Sequence, residues 1–166
     1  MPRQEIIRKA KQDKRAGKSA STQAGEFVKD EIDKIRKGKH GARSTKQAIA
    51  IGLSEARRAG VDLPPPRKGA KKSTRRSAEY AYEVGQGKRT PKRRPKVSRA
   101  VERVLKKEPR STASRSALSK QGKSAAKRRS AASRSAAARK ASQTKGARVR
   151  SAAAKKAART RARRRS

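Results

Sequence analysis

The side chains in this sequence with chemistry open to them are cations. KRTPKRRPK sets Lys88, Arg89, Lys92, Arg93, Arg94 and Lys96 in one short run. Farther on come Lys127, Arg128 and Arg129, then Arg134, Arg139 and Lys140, then Arg148 and Arg150. Lys155, Lys156, Arg159 and Arg161 follow, and after them Arg163, Arg164 and Arg165. No acidic side chain follows Glu108. Ammonium and guanidinium groups at this density do one kind of chemistry well: they neutralise a string of phosphates and release its condensed counterions. Such contacts position a protein without reading bases. These residues are the expected nucleic-acid contacts, with little sequence specificity. Arg128, Arg129, Arg163, Arg164 and Arg165 lead the set, although any one alone matters little.

The charge is unevenly placed. Residues 1–87 hold 22 basic and 10 acidic side chains, whereas residues 88–166 hold 30 basic and 2 acidic, within a total of +40. An excess of this size needs a polyanionic partner, and nucleic acid, double-stranded DNA in the first place, is the expected one. An anionic membrane surface would want Trp, Phe or Leu opposite the basic face, and the basic regions carry almost none. No membrane is therefore expected. MPRQEIIRKAKQDKR lacks the apolar stretch of a secretory signal, and Glu5 and Asp13 interrupt its basic run. The expected place is a cytoplasm, in association with the nucleoid.

Other chemistry is poorly supplied. With no Cys and one His, thiolate sites and histidine clusters are excluded. A phosphate loop of the form G-x-x-x-x-G-K-[ST] fails twice: Gly122-Lys123-Ser124 has Ala117 where the first Gly belongs, and Gly87-Lys88 is followed by Arg89. His40 has no nucleophile or carboxylate at a recognised spacing and reads as a turn residue. Asp30, Glu31 and Asp33, flanked by Lys29, Lys34 and Arg36, read as a solvated helix face with internal ion pairs. No enzyme, cofactor, metal or small-molecule substrate is expected.

The elements that must carry the cations are helical. Residues 1–20 form a basic arm, with Ile6, Ile7 and Ala10 able to lean on the module behind them. In STQAGEFVKDEIDKIRKGKHG, Val28, Ile32 and Ile35 fall at i, i+4 and i+7 beside Phe27, predicting a helix from Ser21 to Lys37 with Gly38 as its stop. Ser44 and Gln47 match a capping box. Ile49, Leu53 and Ala56 repeat along the next helix, and Gly52 lies where a neighbour can approach closely. Gly60 with Val61 suits a left-handed terminus, and Pro64, Pro65 and Pro66 forbid continuation. The six residues GKHGAR between the two helices predict an antiparallel hairpin over 21–63, small enough to need a second copy or flanking segments to fold.

Residues 64–109 read as a proline-containing basic linker with short helices near 71–84 and 98–107. Residues 110–166 are low-complexity: 20 basic, 17 Ala and 14 Ser or Thr among 57. Alanine, Lys and Arg favour helix, but mutual repulsion opposes it in the free chain. The fold class is therefore mainly α with extensive disorder: a hairpin, short helices, and a tail that becomes helical when bound.

Thr90-Pro91-Lys92-Arg93 resembles the S/T-P-K-K/R turn of linker-histone tails, a resemblance that implies minor-groove placement; an ordinary basic linker is the alternative. Gly25 to Val61, above all KQAIAIGLSEAR from Lys46 to Arg57, resembles a short bacterial domain of unknown function. Members of that family are sometimes labelled plasmid-stabilisation or DNA-binding proteins. The tail resembles linker-histone and bacterial histone-like tails in composition. Together these imply a histone-like, nucleoid-associated, nonspecific DNA-binding protein whose hairpin docks or makes a homodimer. The alternatives are an RNA-binding or ribosome-associated accessory protein, and a protein–protein adaptor localised by its basic tail.

Overall fold

A computed structural model of the chain describes residues 3–66, 69–92, 94–144 and 146–163. Among them the secondary structure is helical: α1 (Gln4–Arg15), α2 (Ala20–Arg36), α3 (Thr45–Arg58), α4 (Lys72–Gly85), α5 (Pro95–Lys107), a 3-10 turn (Ser111–Ala113), α6 (Arg115–Lys127), α7 (Ala131–Thr144) and α8 (Ala147–Arg163). The chain divides into two compact units, residues 1–121 and 122–166.

Helices α2 and α3 form the centre of the first unit. Ser19 caps α2 by accepting from Thr22 N, and Ser44 caps α3 by accepting from Gln47 N. The reciprocal half of the second cap differs from the expected box: Gln47 Oε1 accepts from Arg43 N at 2.8 Å, one residue before the cap. At the other end of α3, Val61 N donates to Ala56 O and Gly60 N to Arg57 O, with Gly60 at φ +86°. This is the paired-bond ending that only glycine adopts without strain. The two helices run antiparallel, with Phe27 against Ala56 and Ile32 and Ile35 against Ala48. Their closest approach is at Gly52, where a Cβ would lie 2.6 Å from Val28 Cα. The most buried face of α3 is thus its small residues, Ala48, Gly52 and Ala56, while Leu53 is only half-buried.

Flanking segments complete what a hairpin alone cannot bury. Ile6, Ile7 and Ala10 of α1 pack on the cluster around Phe27 and Val61, as the basic-arm reading expects. Helix α4 lies on α3 so closely that a Cβ on Gly85 would meet Arg57 O. Residues after α5 close the opposite end: Gly41 N donates to Leu105 O at 2.8 Å and Ala42 N to Pro109 O at 3.2 Å. Thr45 Oγ1 donates to Thr112 O, Arg36 Nε donates to Ala113 O, and Ala113 is fully buried with Ile32, Ile35, Ala42 and Ala48. Gly41 permits this docking, since Glu108 O occupies the space a Cβ would need. Between these anchors α5 begins at Pro95 in its first turn, three residues ahead of the expected start, and its Val97, Val101 and Val104 remain more than half exposed.

The acidic group on α2 is not a solvated face. Asp30 and Glu31 are 3% and 1% exposed. Lys34 Nζ stands 3.0 Å from Asp30 Oδ2, 3.7 Å from Glu31 Oε2 and 3.2 Å from Glu55 Oε2. Arg3 closes over Asp30, with Nε 2.9 Å from Oδ1, and His40 Nε2 lies 3.6 Å from Glu31 Oε1. Burial pushes the Asp30 carboxyl up, but Lys34 and Arg3 outweigh it and hold the group below its ordinary value. Burial dominates at Glu31, whose carboxyl is raised despite His40 and Lys34. Only Asp33, half-buried beside Arg36 at 4.0 Å, resembles the expected surface pair. The physical reason is tertiary: partners come from Arg3 just ahead of α1, from α3 and from the turn, not from α2 alone.

The second unit corrects the expectation of extensive disorder. The Ala-, Lys- and Arg-rich sequence is helical in α7 and α8, as it is in α6 before them. Ser114 Oγ caps α6 by accepting from Ala117 N, and Ser130 Oγ caps α7 by accepting from Ser133 N. No proline follows Pro109. Like charges at i,i+4 oppose a helix by only about 0.2–0.5 kcal/mol per pair. In α8 these number two, Lys155–Arg159 and Arg159–Arg163, too few to overcome the alanine propensity.

Candidate nucleic-acid interface

Those expected contact residues of the tail that are described lie on helices or at their ends, exposed to solvent. Arg128 and Arg129 sit in the break between α6 and α7, where Arg129 Nε donates to Ser133 Oγ at 3.3 Å. Arg134, Arg139 and Lys140 spread around α7. Helix α8 is more ordered in its charge. Arg148, Lys155, Arg159 and Arg163 recur at i, i+7, i+11 and i+15, which is one face of an α-helix. Lys156 borders that face, while Arg150 and Arg161 share the opposite one. From Arg148 to Arg163 the axial rise is about 22 Å, a length over which duplex DNA presents roughly 13 phosphates. Anionic charge on such a partner would therefore exceed the cationic charge of α8 along its whole length. Arg164 and Arg165 lie outside the described residues.

The run from Lys88 to Lys96 connects α4 to α5. It is a folded turn more than an extended linker. Lys88 N donates to Glu83 O at 2.9 Å, ending α4. Arg89 Nη1 pairs with Glu83 Oε2 at 3.0 Å, and its guanidinium carbon stands 5.0 Å from the centre of the Tyr80 ring. Tyr80 Oη accepts from Lys92 N at 3.2 Å. Tyr80, Arg89, Thr90, Lys92, Arg94 and Ser98 line an open basin of about 580 Å³. Lys88 and Lys96 are exposed beside it, and Arg93 lies outside the described residues. Composition signalled the cations of this turn. It did not signal the pairing of Arg89 with Tyr80, because the two sit nine residues apart and meet only when the turn folds.

The sequence-level candidates for other chemistry fall elsewhere. His40 belongs to the buried ion network, and its Nδ1 lies 3.1 Å from Gly41 O. Among the described residues no three His, Asp or Glu side chains are grouped to hold a metal ion, and no helix is long and apolar enough to cross a membrane.

No curated protein and no solved structure matches this chain. Residues 11–76, from the last turn of α1 through the hairpin to the start of α4, match the model of a family described as of unknown function, DUF6496, to which this part of the chain is similar.

Proposed function

We propose that this chain is a nonenzymatic, histone-like protein that binds DNA without sequence specificity and works at the nucleoid. Lys and Arg of α6–α8 neutralise backbone phosphates and help compact or bridge duplexes, while the helical module of residues 1–121 docks the protein or pairs it with a second copy. One observation supports this most: 20 cations with no acidic side chain after Glu108, those among the described residues being exposed along successive helices and their ends. The whole chain holds 12 acidic side chains against 52 basic ones, and an excess of that size favours a polyanionic partner.

Gel-shift titration across salt, with duplex DNA and structured RNA in competition, tests the reading. Full-length protein making 6–10 phosphate contacts should lose about 10³–10⁵ in duplex affinity between roughly 50 and 200 mM salt. Removing residues 122–166 leaves the first unit whole and takes away 17 of the cations, so both affinity and salt slope should collapse. Preference for structured RNA would favour the RNA-binding alternative. Affinity retained without the tail would favour the adaptor.

A further inference from the structure

The basin between α4 and α5 carries more than charge. This chain has one Phe, two Tyr and no Trp. Phe27 is fully buried, and Tyr82 is tied to Asp62 by a 2.7 Å hydrogen bond. Tyr80 is the aromatic ring that borders cations. Its hydroxyl is fixed by Lys92 N and its ring lies beneath Arg89. Glu83 neutralises one edge of that guanidinium, which leaves its plane as a platform more than as a free charge. Lys92 and Arg94 remain on the same basin wall with the hydroxyls of Thr90 and Ser98.

From this arrangement we infer that the basin takes one unpaired nucleotide of the nucleic acid held by the tail. The base stacks on the Arg89–Tyr80 pair, and its phosphate lies between Lys92 and Arg94. The inference rests on the nucleic-acid reading above. A volume of about 580 Å³ falls within the usual range for small-ligand sites and fits a nucleotide. Guanidinium planes and aromatic rings are the platforms on which splayed bases stack. A base inside a duplex has both faces covered and gains nothing there. The consequence is a preference for strand ends, gaps and loops that phosphate neutralisation alone does not provide.

With no Trp present, tyrosine emission reads the site directly. In full-length protein carrying Tyr82→Phe, Tyr80 is the sole emitter. Titration with a single-stranded oligothymidylate should quench it strongly, while a blunt duplex or inorganic polyphosphate of equal charge should not. Tyr80→Leu should weaken single-strand binding by about tenfold and leave duplex binding unchanged. Lys92→Gln combined with Arg94→Gln, both at exposed positions, should weaken single-strand binding by a similar factor yet preserve quenching at saturation. Equal quenching by duplex and single strand, or unchanged single-strand affinity in both variants, overturns the inference while duplex gel shifts leave the tail reading standing. No shift with any nucleic acid overturns both.

Discussion

Two glycines in neighbouring helices give opposite answers to the same substitution. Gly25 lies within α2 on an exposed face, with nothing within 4 Å of a Cβ placed there. Gly52 lies within α3, where the new carbon would be 2.6 Å from Val28 Cα, 2.9 Å from Val28 N and 3.1 Å from Phe27 O. Carbon contacts settle near 3.5–4.0 Å, so the helices must separate by about 1 Å, and the obstructing atoms are backbone. Alanine gains about 1 kcal/mol over glycine inside a helix, while overpacking a tight contact costs about 1–3 kcal/mol. Gly25→Ala should stabilise by about 1 kcal/mol. Gly52→Ala should lose that gain and come out destabilised by up to about 2 kcal/mol once both effects are counted. Urea unfolding of the full chain, followed by hydrogen exchange of α2 and α3 amides, separates this module from the tail helices. If both alanines stabilise, the backbones of α2 and α3 do not touch and the packing described here is wrong.

Three further outcomes follow from the same unit. Lys34→Met strips the shared cation from Asp30, Glu31 and Glu55 and should cost about 3–5 kcal/mol in chemical unfolding, whereas exposed Lys29→Met should change stability by less than about 0.5 kcal/mol. The pH dependence has two opposite parts. Asp30 sits below its unfolded value, so its contribution is full above that value and is lost as pH falls through the folded one. Glu31 sits above, so its contribution is full below the unfolded value and is lost as pH rises through the folded one. Unfolding measured upward from about pH 4.3 should show that second loss in the native chain and not in Glu31→Gln; an unchanged profile would remove Glu31 from the account. Ser44→Ala deletes the α3 cap and should lower thermal stability by about 1 kcal/mol, an effect absent if Gln47 N finds another acceptor.

Local signals were legible because their causes are local. The Ser44 cap, the Gly60 ending and the Val28–Ile32–Ile35 stripe are each set by residues within one or two turns. Asp30 and Glu31 were misread as solvent-facing because their burial depends on Arg3, His40 and Glu55, which no helix periodicity brings together. Gly41 reads as an ordinary turn glycine until Glu108 is seen against it. Helix in the tail turned on a balance between alanine propensity and like-charge repulsion, and a charge count alone tilts that balance the wrong way. The basin needed one contact, Tyr80 with Arg89, that spacing does not encode.

Ionic strength acts unequally on the two kinds of charge in this molecule. The Asp30–Lys34–Glu55 group is sheltered from solvent, where mobile ions screen weakly, whereas the cations of α8 face water and are screened fully. On the proposed reading, a rise in salt would therefore strip the protein from a polyanion while its hairpin stays folded, and dilution would return it without a refolding step.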